Sequence, residues 1–122
     1  MTNSGFHFSG IVVTGDGEAG IAYGIPTANL NLTEKPEIDI GVYAATVELD
    51  GQTYYAAVCW GPENKPKFEV HLLNFSDDIV GKKIRGEIKE KISEFVALYS
   101  TERLRQKILH DIDMVKKYFN FN

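Results

Sequence analysis

Three stretches carry side chains whose type and spacing suit phosphate or proton chemistry. The first is Gly24-Ile25-Pro26-Thr27-Ala28-Asn29-Leu30. Pro26 fixes φ and biases Ile25 towards an extended backbone, which sets the Thr27 hydroxyl and the Asn29 carboxamide two residues apart in defined directions. Two neutral oxygen donors on one face suit Mg²⁺, which keeps several waters and takes its other oxygens from substrate phosphates. The same string also reads as a turn followed by a strand with two polar outward positions. The second stretch is Gly15-Asp16-Gly17-Glu18-Ala19-Gly20, a literal G-x-G-x-x-G. As a dinucleotide fingerprint it fails, because Tyr23-Gly24-Ile25-Pro26 would break the helix whose N-terminal amides must meet the pyrophosphate. What remains is either a plain strand connection or a glycine-rich loop, Gly15 to Gly24, whose amides cover phosphates without side-chain clash. The third is Glu69 in Phe68-Glu69-Val70-His71-Leu72-Leu73, on the same strand face as His71. A carboxylate held inside a barrel mouth could accept a proton from an attacking hydroxyl. A solvent-facing glutamate with a histidine neighbour is the plainer alternative.

Other reactive side chains point to structure. His7, His71 and His110 fall in three different elements and give no metal spacing. Cys59, the single cysteine, lies in an apolar run and reads as packing; with no second thiol there is no internal disulfide. Lys82, Lys83 and Arg85 read as a solvated face. The chain contains no Walker A string. Thirteen Lys and Arg against 17 Asp and Glu give a net charge of −4, which argues against general affinity for nucleic acid. Met1 to His7 has neither the basic nor the apolar region of a secretory signal, and no apolar run approaches the roughly 20 residues of a spanning helix. The expectation is a cytoplasmic monomer without a membrane partner.

These residues need elements to hold them. At 122 residues and 43% hydrophobic, the chain is read as one packed domain over residues 1–122. From Phe6 to Trp60 short extended runs alternate with Gly, Pro and Asx turns. Phe8 to Val13 is a first strand, and Tyr43, Ala45, Val47 and Leu49 share one face of another by the two-residue period. Asp50-Gly51 then signals a type I′ hairpin, with a return strand from Thr53 to Trp60. Lys67 to Phe75 reads as a central strand, Lys82 to Ile92 as a charged strand with an exposed face or edge. At the C-terminus the period lengthens: Leu104, Ile108, Ile112, Val115 and Phe119 define one amphipathic helix over about 100–119. Ser100 or Thr101 can cap it, and Glu102, Lys116 and Lys117 complement its dipole. Strands followed by one helix, without βαβ alternation, predict a mainly β protein: a small antiparallel barrel with a packed helix.

Taken together, Phe8-Ser9-Gly10-Ile11-Val12, the glycine-rich loop, Gly24 to Leu30, Gly41-Val42-Tyr43, Phe68 to Phe75, Gly81-Lys82-Lys83-Ile84 and the helix with Leu104, Ile108 and Asp111 resemble the riboflavin kinase family. The Pro-Thr-Ala-Asn string is the specific part. The resemblance implies a six-stranded Greek-key barrel that transfers the γ-phosphoryl group of ATP to the ribityl 5′-hydroxyl of riboflavin, giving FMN and ADP. It assigns Thr27 and Asn29 to the metal, Mg²⁺ with Zn²⁺ or Mn²⁺ as alternatives, and Glu69 to the catalytic base. Gly15, Gly17, Gly20, Gly24, Pro26, Thr27 and Asn29 would border the nucleotide. The family's Leu-Arg-x-Glu segment, which closes on the flavin, is replaced by Ile92-Ser93-Glu94-Phe95, so the flavin-binding residues are left unassigned. A barrel that binds flavin or nucleotide without turnover, or a kinase of a related small alcohol, are the alternative readings.

Overall fold

In a computed structural model of the chain, residues 5–13, 28–64, 66–75, 77–96 and 101–120 are described. Strands β1 (His7–Val13), β2 (Ala28–Leu32), β3 (Gly41–Leu49), β4 (Gln52–Gly61), β5 (Lys67–Leu72) and β6 (Lys83–Ser93) precede helix α1 (Thr101–Tyr118). All neighbouring pairs are antiparallel, and the order β1-β2-β5-β4-β3-β6 closes into a barrel when β6 meets β1. The meander β3-β4-β5 with β2 returning beside β5 is the Greek key. Closure corrects one expectation: the charged strand is not an edge. Its backbone is paired on both sides, to β1 and to β3, and only its outward side chains meet solvent.

The alternation along β3 explains the interior. Tyr43, Ala45 and Val47 are fully buried in one cluster with Phe8, Val58 and Ile88, each from the inward register of its strand. At the end of β3, Asp50 and Gly51 have φ of 51° and 81°, the positive pair that a type I′ turn requires. Two glycines allow close approach, one of a ring and one of backbone. A Cβ on Gly86 would lie 2.4 Å from the Phe8 ring, and one on Gly10 would lie 2.2 Å from the Asn31 carbonyl oxygen. Phe8 can therefore fill the barrel only because its partner in β6 has no side chain.

Helix α1 lies on the outside. Its Val115, with Ile112 and Phe119 packed alongside, meets Ala44, Ala57 and Leu73 to form a second, smaller cluster. Ala44 and Ala57 are directly paired, and two methyl-sized residues make a shelf low enough for a helix to approach. Phe119 stacks on Tyr55 with centroids 4.1 Å apart and planes 9° from parallel. Asn120, at φ 54°, ends the helix in the left-handed conformation that terminates many helices. The fitted dipole charges are present: Glu102 in the first turn, Lys116 and Lys117 in the last.

Candidate active site

Asn29 and Glu69 are joined by the pairing of β2 with β5. They are direct partners in register, and Glu69 is in turn the partner of Cys59 across β4. The row continues through Val42 to Ser93. Direct partners project to the same side with Cβ atoms about 4.5–5.5 Å apart. Because Ala28, Leu30, Phe68, Val70 and Val58 occupy the interior, the alternate residues Asn29, Glu69 and Cys59 must lie on the outer wall. This corrects the expectation of a carboxylate inside the barrel mouth: Phe68 and Val70 have taken that space. All three outer residues are only partly exposed. Gly15, Gly17, Gly20, Gly24, Pro26 and Thr27 lie outside the described residues, so of the predicted metal and base positions the structure brings together Asn29 and Glu69.

The surroundings are partly dry. His71, two residues beyond Glu69, is 6% exposed and is paired with Ala57 on the wall beneath the helix. The Cys59 thiol is pushed up to about 12, first by burial, then by the negative charges of Glu69 and Asp111, with Lys107 acting in the opposite direction. A thiol held so far above its ordinary value stays protonated near neutral pH, in keeping with the packing role its apolar run suggested. Its environment also brings together residues to which the sequence reading gave no role. Asp111, 5% exposed, accepts a hydrogen bond from Ser93 Oγ at 2.8 Å and one from Lys107 Nζ at 2.5 Å; the ammonium also reaches Ser93 Oγ at 3.0 Å. A signal was present in the sequence. Asp111 stands three residues after Ile108 and four before Val115, a carboxylate on the apolar stripe of the helix.

The donor chemistry is all oxygen. Among the described residues no group of three or more His, Cys, Asp and Glu is arranged to hold a metal. An amide oxygen beside a carboxylate, with the remaining ligands from phosphate and water, fits a hard divalent cation and not a structural zinc site. An open cleft of about 670 Å³ on another part of the wall, bordered by Ser9, Thr33, Glu48, Thr53 and Arg85, contains none of the predicted site residues. There Arg85 and Glu48 form an exposed ion pair, consistent with a solvated face.

A closed six-stranded antiparallel barrel with one C-terminal helix packed on its outer wall is the architecture of a definite class. The Flavokinase family model, riboflavin kinase, matches residues 2–119, and the chain belongs to this family. The bifunctional riboflavin kinase/FMN adenylyltransferase of Buchnera aphidicola subsp. Schizaphis graminum is 31% identical over 123 residues, covering 94% of this chain and 39% of that protein. The protein of the same name from Bacillus subtilis is 29% identical, again over 94% of this chain and 39% of the relative. The chain therefore spans about two-fifths of the length of these relatives. Among solved structures, riboflavin kinase from Trypanosoma brucei shares the fold with a TM-score of 0.67 at 22% identity, over 96% of this chain and 81% of that one. A Streptococcus pneumoniae structure described as a macrolide-efflux protein has a TM-score of 0.82 at 27% identity, over 92% of this chain and 38% of that one. Among the described residues no helix is long and apolar enough to cross a membrane.

Proposed function

We propose that this chain, acting as one barrel domain, transfers the γ-phosphoryl group of ATP to the 5′-hydroxyl of riboflavin, yielding FMN and ADP. The observation that carries this reading is the direct pairing of Asn29 with Glu69 on the outer wall of a chain that belongs to the riboflavin kinase family. Phosphoryl transfer asks little covalent chemistry of a protein; it needs an in-line hydroxyl and neutralised phosphates. In this reading Glu69 accepts the proton of the ribityl hydroxyl as the oxygen attacks the γ-phosphorus. Asn29, together with Thr27, holds a divalent ion, Mg²⁺ first with Zn²⁺ or Mn²⁺ as alternatives. The chemistry such an ion supplies is neutralisation of the β- and γ-phosphate oxygens. The amides of Gly15, Gly17, Gly20 and Gly24 cover the nucleotide. This division of labour is supported by the pairing register, in which Glu69 and Asn29 lie one strand spacing apart. The reading includes a cytoplasmic monomer, where ATP is the ordinary donor and a lone thiol stays reduced.

The test is direct. Incubation with Mg-ATP and riboflavin, followed by chromatography, should yield FMN and ADP in equal amounts. No product with any of several divalent metals and nucleotide donors overturns the reading.

A further inference from the structure

Asp111 is a nearly buried carboxylate for which base and metal chemistry have no use. A buried charge is costly unless paired and hydrogen-bonded, and even a paired one adds little net stability. Its position suggests another role. Strand β6 reaches Ser93 through two register shifts against β3, between Val42 and Tyr43 and between Ala44 and Ala45. Such bulges bend a strand and weaken its ladder, so the exit of β6 needs other anchors. Asp111 supplies one by holding Ser93 Oγ, with Lys107 bonded to both. Just beyond, Glu94 is tied back to Lys91 at 2.9 Å. The Phe95 ring sits over Gly61, where a Cβ would approach it to 2.9 Å.

The row on the wall gives this anchor its meaning. Under the phosphoryl-transfer reading, donor phosphates belong on the Asn29 side of Glu69. The acceptor must then approach in line from the other side, along Cys59 and Val42 to Ser93, which are the next partners in register. We propose that Asp111 is a positioning residue for the acceptor: by holding Ser93 and Lys107 it fixes the exit of β6, with Phe95 on Gly61, beside the Cys59–Glu69 pair. The Cys59 thiol feels the charges of Glu69, Asp111 and Lys107, so the anchor and Glu69 both lie near this one side chain. This inference rests on the function proposed above.

Steady-state kinetics of Asp111→Asn and Ser93→Ala in the full chain test it. Loss of a charge-assisted hydrogen bond should raise KM for riboflavin about tenfold in Asp111→Asn, leave KM for ATP within about twofold, and keep the melting temperature above that of the assay. Ser93→Ala should shift riboflavin KM in the same direction by less. An unchanged riboflavin KM in folded Asp111→Asn, or riboflavin and ATP KM rising in step, overturns the proposal. If Asp111→Asn fails to fold, Ser93→Ala decides by the same two constants. Absence of turnover in the unsubstituted chain would strike the phosphoryl-transfer reading alone. Riboflavin fluorescence quenching then decides this one: weaker binding in the variant upholds it, and equal binding, or no binding by the unsubstituted chain, overturns it.

Discussion

Glu69 emerges from the barrel wall between a carboxamide on one strand and a thiol on another, and each neighbour makes a different demand on it. In the proposed reading it shares space with a cation and phosphates towards Asn29, and meets a hydroxyl towards Cys59. If it is the base, Glu69→Gln should leave ATP binding nearly intact while lowering turnover at least about a hundredfold, the usual cost of losing a general base. Nucleotide titration beside single-turnover FMN formation measures both halves, and near-normal turnover would remove Glu69 from that role. The thiol offers an independent probe. Its folded-state value, about 12 against an ordinary 9.0, means that the folded protein holds a proton which the unfolded chain releases first. The thiol's contribution to stability is therefore fully present below pH 9 and is lost as pH rises from about 9 towards 12. Urea unfolding across pH 8 to about 10.5 should show a decline that is shallower in Cys59→Ala; parallel declines would refute it. Asn29 and Glu69 stood out in the sequence as candidates because each sits in a short, ordered string, whereas their pairing needed the fold. Asp111 could be seen on the apolar stripe of the helix with Leu104, Ile108, Ile112 and Val115, but its role could not, because its partner Ser93 lies on a strand that only the fold brings beside it.

At the scale of elements, two glycines separate backbone strain from packing. Gly51 has φ 81° and open space around its missing Cβ, whereas the Cβ of an alanine at 86 would sit 2.4 Å from the Phe8 ring and 2.5 Å from the Thr46 carbonyl oxygen. Gly51→Ala should therefore cost only the left-handed conformation, about 1 kcal/mol. Gly86→Ala must push Phe8 aside and should cost about 1–3 kcal/mol or more, as overpacking does. Urea midpoints with unchanged slopes would measure both, and an equal cost at the two sites would contradict the barrel packing. The elements themselves could be read from local pattern with small errors at the ends: the helix predicted over 100–119 runs from Thr101 to Tyr118, and the strand predicted from Lys67 to Phe75 stops at Leu72. The hairpin at Asp50-Gly51 was legible because its signal is confined to two residues. The status of β6 was not. Charged outward positions look the same on an edge and on a closed barrel, and only its pairing with β1, far away in the chain, decides between them.

At the scale of the whole molecule, the decisive feature among the described residues is a pair of apolar cores of unequal size. The larger fills the barrel and draws on all six strands; the smaller, Ala44, Ala57, Leu73 and Val115, joins α1 to the outside. Strands locked on both edges by a closed ladder can exchange amide protons only when the barrel opens as a unit. The helix can lift from its alanine shelf while that ladder stays intact, giving up mainly its apolar stripe and the bonds of Asp111 and Lys107 to Ser93. Native-state hydrogen exchange should accordingly place the α1 amides in a less protected unit than those of β3, β4 and β6, with separate dependences on denaturant. FMN with ADP and Mg²⁺ should then raise α1 protection by more than it raises that of the strands, because a ligand that binds only the docked form opposes lifting by its own binding free energy. Helix and strand amides sharing one exchange free energy would mean that the two cores open together. A ligand that protected the strands alone would mean that the helix, and Asp111 with it, has no part in holding the acceptor.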